Sequence, residues 1–149
     1  MKGTARIISV IALAIVLAWP AKASEIKKQI GEAKYTAAVE NLLVALKSDN
    51  CGLRKSAVYV LGQLQAEEAV IPLMAILRNS DNECARIAAA WSLCQIGDAR
   101  GVYAVKQAVR FDNSDKVKSY CAWYYNLYVQ DGTFTFAPPV GATTELTSK

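Results

Sequence analysis

The feature that most constrains this chain is internal repetition. SDNCGLRKSAVYVLGQL, Ser48 to Leu64, returns 32 residues later as SDNECARIAAAWSLCQI, Ser80 to Ile96. The second copy keeps Asp49 as Asp81, Arg54 as Arg86, Ala57 as Ala89, Leu61 as Leu93 and Leu64 as Ile96. Within the copies, apolar residues recur at spacings of three and four, and β-branched runs with period two are absent, so the pattern predicts helices. In the first unit these are Thr36 to Lys47 and Gly52 to Gln65, joined by Ser48-Asp49-Asn50. The second has Ala69 to Leu77 and Cys84 to Ile96, with Pro72 in the first turn, where a missing N–H is tolerated. A looser third unit has Gly101 to Val109 and Val117 to Val129.

Two amphipathic helices cannot bury their apolar stripes alone. Copies at a period of 31 to 32 residues therefore stack and share a continuous core. The predicted fold is an all-α solenoid of about three helical hairpins, with units near 36–66, 67–97 and 98–130 of a repeat domain spanning 24–131. Gln29 to Ala33, QIGEA, echoes QIGDA at Gln95 to Ala99. The residues ahead of the first unit therefore read as the tail of a preceding one, an N-terminal capping helix. The segment from Gly132 to Lys149, with Pro138-Pro139 and small polar residues, is expected to be a flexible tail. Phe134 and Phe136 lie on one side of it if it is extended, able to dock on the last unit or in a groove.

LRKSAVYVLGQLQAEEAVIPLMAIL and ARIAAAWSLCQIGDARGVYAV resemble the short bacterial HEAT repeats, a type also seen in phycobilisome lyases. The shared signs are an Arg opening the second helix, an Ala-rich turn of that helix, Leu-Gly or Ile-Gly-Asp at its end, and Ala-Val-x-x-Leu starting the next unit. The resemblance covers about Gln29 to Val129. It implies an α-solenoid acting as a scaffold, a chaperone-like adaptor or, in a few relatives, a lyase that attaches a bilin to a cysteine of a client. The third unit departs from the pattern, with Lys118 in place of the Arg and Tyr124 to Tyr128 where small residues stood, and reads as a C-terminal cap.

The first residues set the expected compartment. Lys2 and Arg6, the apolar run Ile7 to Trp19 and Ala21-Lys22-Ala23 follow the plan of a signal peptide cleaved after Ala23. The Ile7 to Trp19 span has 13 residues, all apolar but Ser9, short of the roughly 20 that span a bilayer. A periplasmic or secreted protein without a membrane anchor is expected. Of the 17 Lys and Arg, the leader carries three, leaving 14 bases against 13 acids and a formal net of +1. So small an excess gives no electrostatic reason for a nucleic-acid partner.

Candidate site residues follow from the same register. Tyr59, Trp91 and Trp123 are spaced 32 and 32 and fall nearly opposite Ala57, Leu61 and Leu64 on a helical wheel, which places them on the outer, concave side of the second helices. With Lys55, Gln63 and Gln95 beside them, they make a groove for a peptide or protein partner; the alternative is that the rings pack on one another. Asp49, Asp81 and Asp112 are expected to accept N–H bonds at helix starts and to pair with Arg54, Arg86 and Lys118 as an exposed ladder. Cys51 and Cys84 occupy equivalent turns and are a possible disulfide, although their offset of 33 departs from the period. Cys121 is expected in the core and Cys94 on a helix flank.

The chain has no histidine, which removes the usual general base and the commonest metal ligand. C-x-x-C, glycine-rich phosphate loops and G-x-S-x-G are also absent. A non-enzymatic binding or scaffolding module is expected, with no cofactor or metal. The alternative is a lyase or chaperone-type accessory acting on a client protein.

Overall fold

The computed structural model describes residues 25–130 and 132–135. The leader read at 1–23 lies outside them, as do Phe136 and the Pro138-Pro139 segment. Among the described residues, six α-helices follow a short helical segment at 25–30: α1 (Glu32–Ala45), α2 (Cys51–Gln63), α3 (Val70–Asn79), α4 (Glu83–Ile96), α5 (Ala99–Phe111) and α6 (Asp115–Tyr128). A single 3₁₀ turn, Glu67–Ala69, leads into α3. Among the described residues there is no strand. The chain divides into two units, Met1–Ala38 and Val39–Lys149.

In the first unit, the helical segment at 25–30 closes at Gly31, whose φ of 84° lies in the left-handed region that suits glycine. Gly31 N–H bonds the Lys27 carbonyl at 3.0 Å, and the Lys27 ammonium stands 4.7 Å over the Tyr35 ring. Gly97 closes α4 in the same way, with φ 76° and its N–H on the Leu93 carbonyl. The QIGEA and QIGDA echo is thus one helix-ending device used twice.

The second unit has two layers. The second helices α2, α4 and α6 lie side by side with α4 in the middle, while α3 and α5 form the other layer. α3 packs on α4 and α5 on α6 as hairpins, and α4 also meets α5. Neighbours on several sides explain why α4 is the most enclosed helix, with Ala88, Ala89 and Ala90 fully buried in succession. Side chains that small let helices approach closely on adjacent faces. Leu61, Leu73, Leu93, Val105 and Val117 fill the space between the layers.

The repeat register is strict at the helix starts, but the capping residues differ from those expected. Asn50, Asn82 and Ser114, each 32 apart, cap α2, α4 and α6 by accepting from the N–H groups of Leu53, Ala85 and Val117. Two residues earlier, Ser48, Ser80 and Asp112 accept the N–H of each capping residue. Asp49 and Asp81 fall between these columns and are exposed. The amide or hydroxyl reaches N3 from the cap position itself, so a carboxylate one residue earlier is not needed there.

Within the segment expected to be a tail, Phe134 is held to the last helix. The Asn126 side-chain amide grips the Phe134 backbone twice, Nδ2 donating to its carbonyl at 2.7 Å and Oδ1 accepting its N–H at 3.0 Å. The Phe134 ring meets Tyr125 edge-on at 5.1 Å. Of the two docking places considered for Phe134, the last unit is the one used.

Candidate functional site

The aromatic column stands on the second-helix layer, and its rings are half-buried. Tyr59 on α2 and Trp91 on α4 pack across the two helices with centroids 5.3 Å apart and planes tilted by 56°. Trp123 on α6 is not stacked on Trp91 in this way. Its ring partners lie on its own helix, Tyr124 at 5.2 Å and Tyr120 at 6.1 Å, and Tyr124 also reaches Tyr120 and Tyr128. The single column is therefore two clusters, one bridging α2 and α4 and one running along α6.

The phenols of the two clusters lie near enough to influence one another's charge. Burial, followed by the neighbouring Cys84 and Tyr120, pushes the Tyr59 hydroxyl above its ordinary pKa. Burial, followed by Tyr59, Tyr120, Tyr128 and Cys121, raises that of Tyr124. Both remain neutral at physiological pH; Tyr59 is half-buried on the second-helix layer, whereas Tyr124 is enclosed beneath it. Lys55 and Gln63 are exposed beside Tyr59 on α2. Gln95 on α4 is half-buried, and its backbone carbonyl accepts from Gln65 Nε2 at 2.9 Å. Tracing one residue per repeat missed Tyr120 and Tyr124. The signal was present in their three- and four-residue spacing from Trp123 and Tyr128.

The expected ladder of exposed pairs is replaced by one enclosed pair. Arg86 Nε and Nη2 donate to the Asp112 carboxylate at 3.0 and 3.1 Å, and the two side chains are only 8% and 7% exposed. Arg86 Nη1 also donates to the Ser80 carbonyl, as Arg54 Nη1 does to that of Ser48. Arg54 has no such carboxylate in the next unit, because the position 32 before Asp112 is Ser80. Lys118, at the same place in the third unit, pairs with Asp115 one turn away, at 3.2 Å.

Cys51 and Cys84 are free, exposed thiols, and the possible bridge is not formed. Both line a cleft of about 150 Å³ between the starts of α2 and α4. Cys51 is the first residue of its helix and Cys84 the second, so one residue of register turns their side chains about 100° apart around the helix axis. Cys51 Sγ instead accepts from Arg54 Nη2 at 3.2 Å. Cys94 is not on a flank: it is fully buried, as Cys121 is, and burial pushes its thiol up to about 12. Among the described residues, no group of three or more Cys, Asp or Glu is placed to hold a metal ion, and no helix is long and apolar enough to cross a membrane.

The family model for HEAT repeats matches residues 20–94 and 39–125, overlapping spans that together cover most of the chain. The chain belongs to the HEAT repeat family. A comparison with curated proteins finds no match. HEAT repeats are commonly protein-interaction modules, and the aromatic surface lies on the second helices of consecutive HEAT hairpins. What that surface offers chemically is adhesion: flat rings, neutral phenols and, along α2, an exposed ammonium and amide.

Proposed function

We propose that this HEAT repeat chain is a non-enzymatic protein-binding or scaffolding module of the cell envelope, holding a peptide or protein partner on its second-helix face. The observation that carries the reading is half-buried rings on each of three successive second helices, Tyr59 and Trp91 packed 5.3 Å apart across α2 and α4 and Trp123 in its own cluster along α6. Partly exposed tyrosine and tryptophan are the side chains that most often dominate protein interfaces. Lys55 and Gln63 supply a polar rim. The absence of histidine from the sequence supports a role without acid–base catalysis. Export rests on the leader pattern of residues 1–23.

The test is capture of partners from an envelope extract on the immobilised protein. Changing Trp91 and Trp123 to alanine is expected to abolish most of the capture while far-ultraviolet circular dichroism retains the helical signal. Undiminished capture by a helical double variant would remove the second-helix face as the site.

A further inference from the structure

The opposite layer carries a second surface that the aromatic row does not involve. Between α3 and α5 runs an apolar groove of about 190 Å³, with Met74 and Leu77 on one side, Ala104 and Ala108 on the other, and Tyr103 and Phe111 at its margin. Those two rings are 62% and 76% exposed, although aromatic side chains are ordinarily enclosed. The groove is smaller than the roughly 300–1,000 Å³ of a typical small-molecule pocket. It therefore suits one large side chain of a partner rather than a cofactor.

Charge narrows that partner further. Two ionised side chains line the groove, Arg78 and Asp112. The Asp112 carboxylate is already occupied by Arg86 Nε and Nη2 and by the Ser114 N–H. Arg78 is exposed and, among the described residues, joins no salt bridge. The groove thus presents apolar walls and one uncommitted guanidinium, which suits a single carboxylate in fork geometry. The adjoining polar cleft is lined by Arg78 together with Asp81, Glu83 and the paired Arg86 and Asp112, so, among the described residues, Arg78 is the one cation there without an ion-pair partner.

We propose that the α3–α5 groove is a second docking site, taking a partner-protein segment that presents one bulky apolar side chain with a single carboxylate about one helical turn away. The apolar side chain enters between Tyr103 and Phe111, and the carboxylate meets Arg78. This site is independent of the second-helix aromatics. Both faces of the solenoid are then occupied, as a scaffold joining two partners requires.

The test uses the full chain and a pool of fluorescein-labelled 12-residue helical peptides, each with one Leu or Phe and, four residues away, either Glu or Lys. Fluorescence anisotropy is expected to show Glu peptides binding at least tenfold tighter than their Lys counterparts, with the preference shrinking as salt is raised. Phe111→Ala and Tyr103→Ala remove exposed rings and are expected to weaken binding about tenfold. Arg78→Glu is expected to reverse the preference, so that Lys peptides bind tighter; a misfolded variant would lose both. Trp91→Ala is expected to leave this binding unchanged, which separates failure here from failure of the second-helix site. Absence of a Glu preference, or indifference to Phe111→Ala and Arg78→Glu, overturns the proposal. It is likewise overturned if Phe111→Ala abolishes only a dimer seen by sedimentation, or only adhesion to phosphatidylglycerol vesicles, with no peptide bound.

Discussion

Arg86 shows how one side chain can hold two repeats in register. Its guanidinium reaches back to the Ser80 carbonyl in its own unit and forward to Asp112 in the next, so the turn before α4 and the turn before α6 share one partner. Forming a buried ion pair offers little net stabilisation over an apolar pair of the same shape, but breaking one leaves a charge stranded in a poorly solvated place. Asp112→Ala is therefore expected to destabilise the fold by about 3–5 kcal/mol in urea titration. A loss below 1 kcal/mol would mean that Arg86 finds water instead. Arg54, with Ser80 in the corresponding place, needs no carboxylate because it is more exposed.

Between elements, α2 and α4 approach closely enough for backbone contact. The Ser92 hydroxyl donates to the Val58 carbonyl at 2.8 Å, so a polar side chain on α4 reaches the backbone of α2 directly. That proximity requires a small residue opposite. A Cβ added at Gly62 would lie 2.9 Å from Ser92 Cα, which is backbone and cannot swing aside. Overpacking of this kind costs about 1–3 kcal/mol, more than the roughly 1 kcal/mol that alanine gains over glycine within a helix. Gly62→Ala is expected to lower stability in a denaturant titration despite its better helix propensity. Gly101→Ala should be milder, because the first atom met there is Leu93 Cδ2, the mobile end of a side chain. Equal losses at the two glycines would contradict the close approach.

Across the whole molecule, the four cysteines report whether the hairpins unfold together. Cys51 and Cys84 are exposed, whereas Cys94 on α4 and Cys121 on α6 are buried in the shared interior of neighbouring hairpins, with thiol pKa values raised chiefly by that burial. A thiol-specific reagent at pH 8 is expected to label Cys51 and Cys84 promptly and the other two only as the protein opens. If the stacked repeats form one cooperative core, Cys94 and Cys121 react at the same rate under mild denaturant. Separate rates, Cys121 faster, would show that the last hairpin opens alone, as the one-dimensional coupling of a repeat array permits.

The sequence by itself determined the element type, the period and the family. Those rest on apolar spacing within each helix and on near-identity at 32 residues, both of which are local and countable. It also placed Tyr59 and Trp91 on one surface, because two positions in one repeat register stack wherever the helices stack. What tertiary structure alone decided was everything that depends on distance between units. The Arg86–Asp112 pair became buried because α4 is hemmed in on several sides. Cys51 and Cys84 stayed apart because one residue of register is 100° of helix rotation. Trp123 turned to Tyr120 and Tyr124, which a column of one residue per repeat does not contain. The α3–α5 groove was likewise beyond reach of the sequence: its walls are small or apolar residues from two helices, and only their packing leaves a gap with Phe111 and Tyr103 standing at its edge.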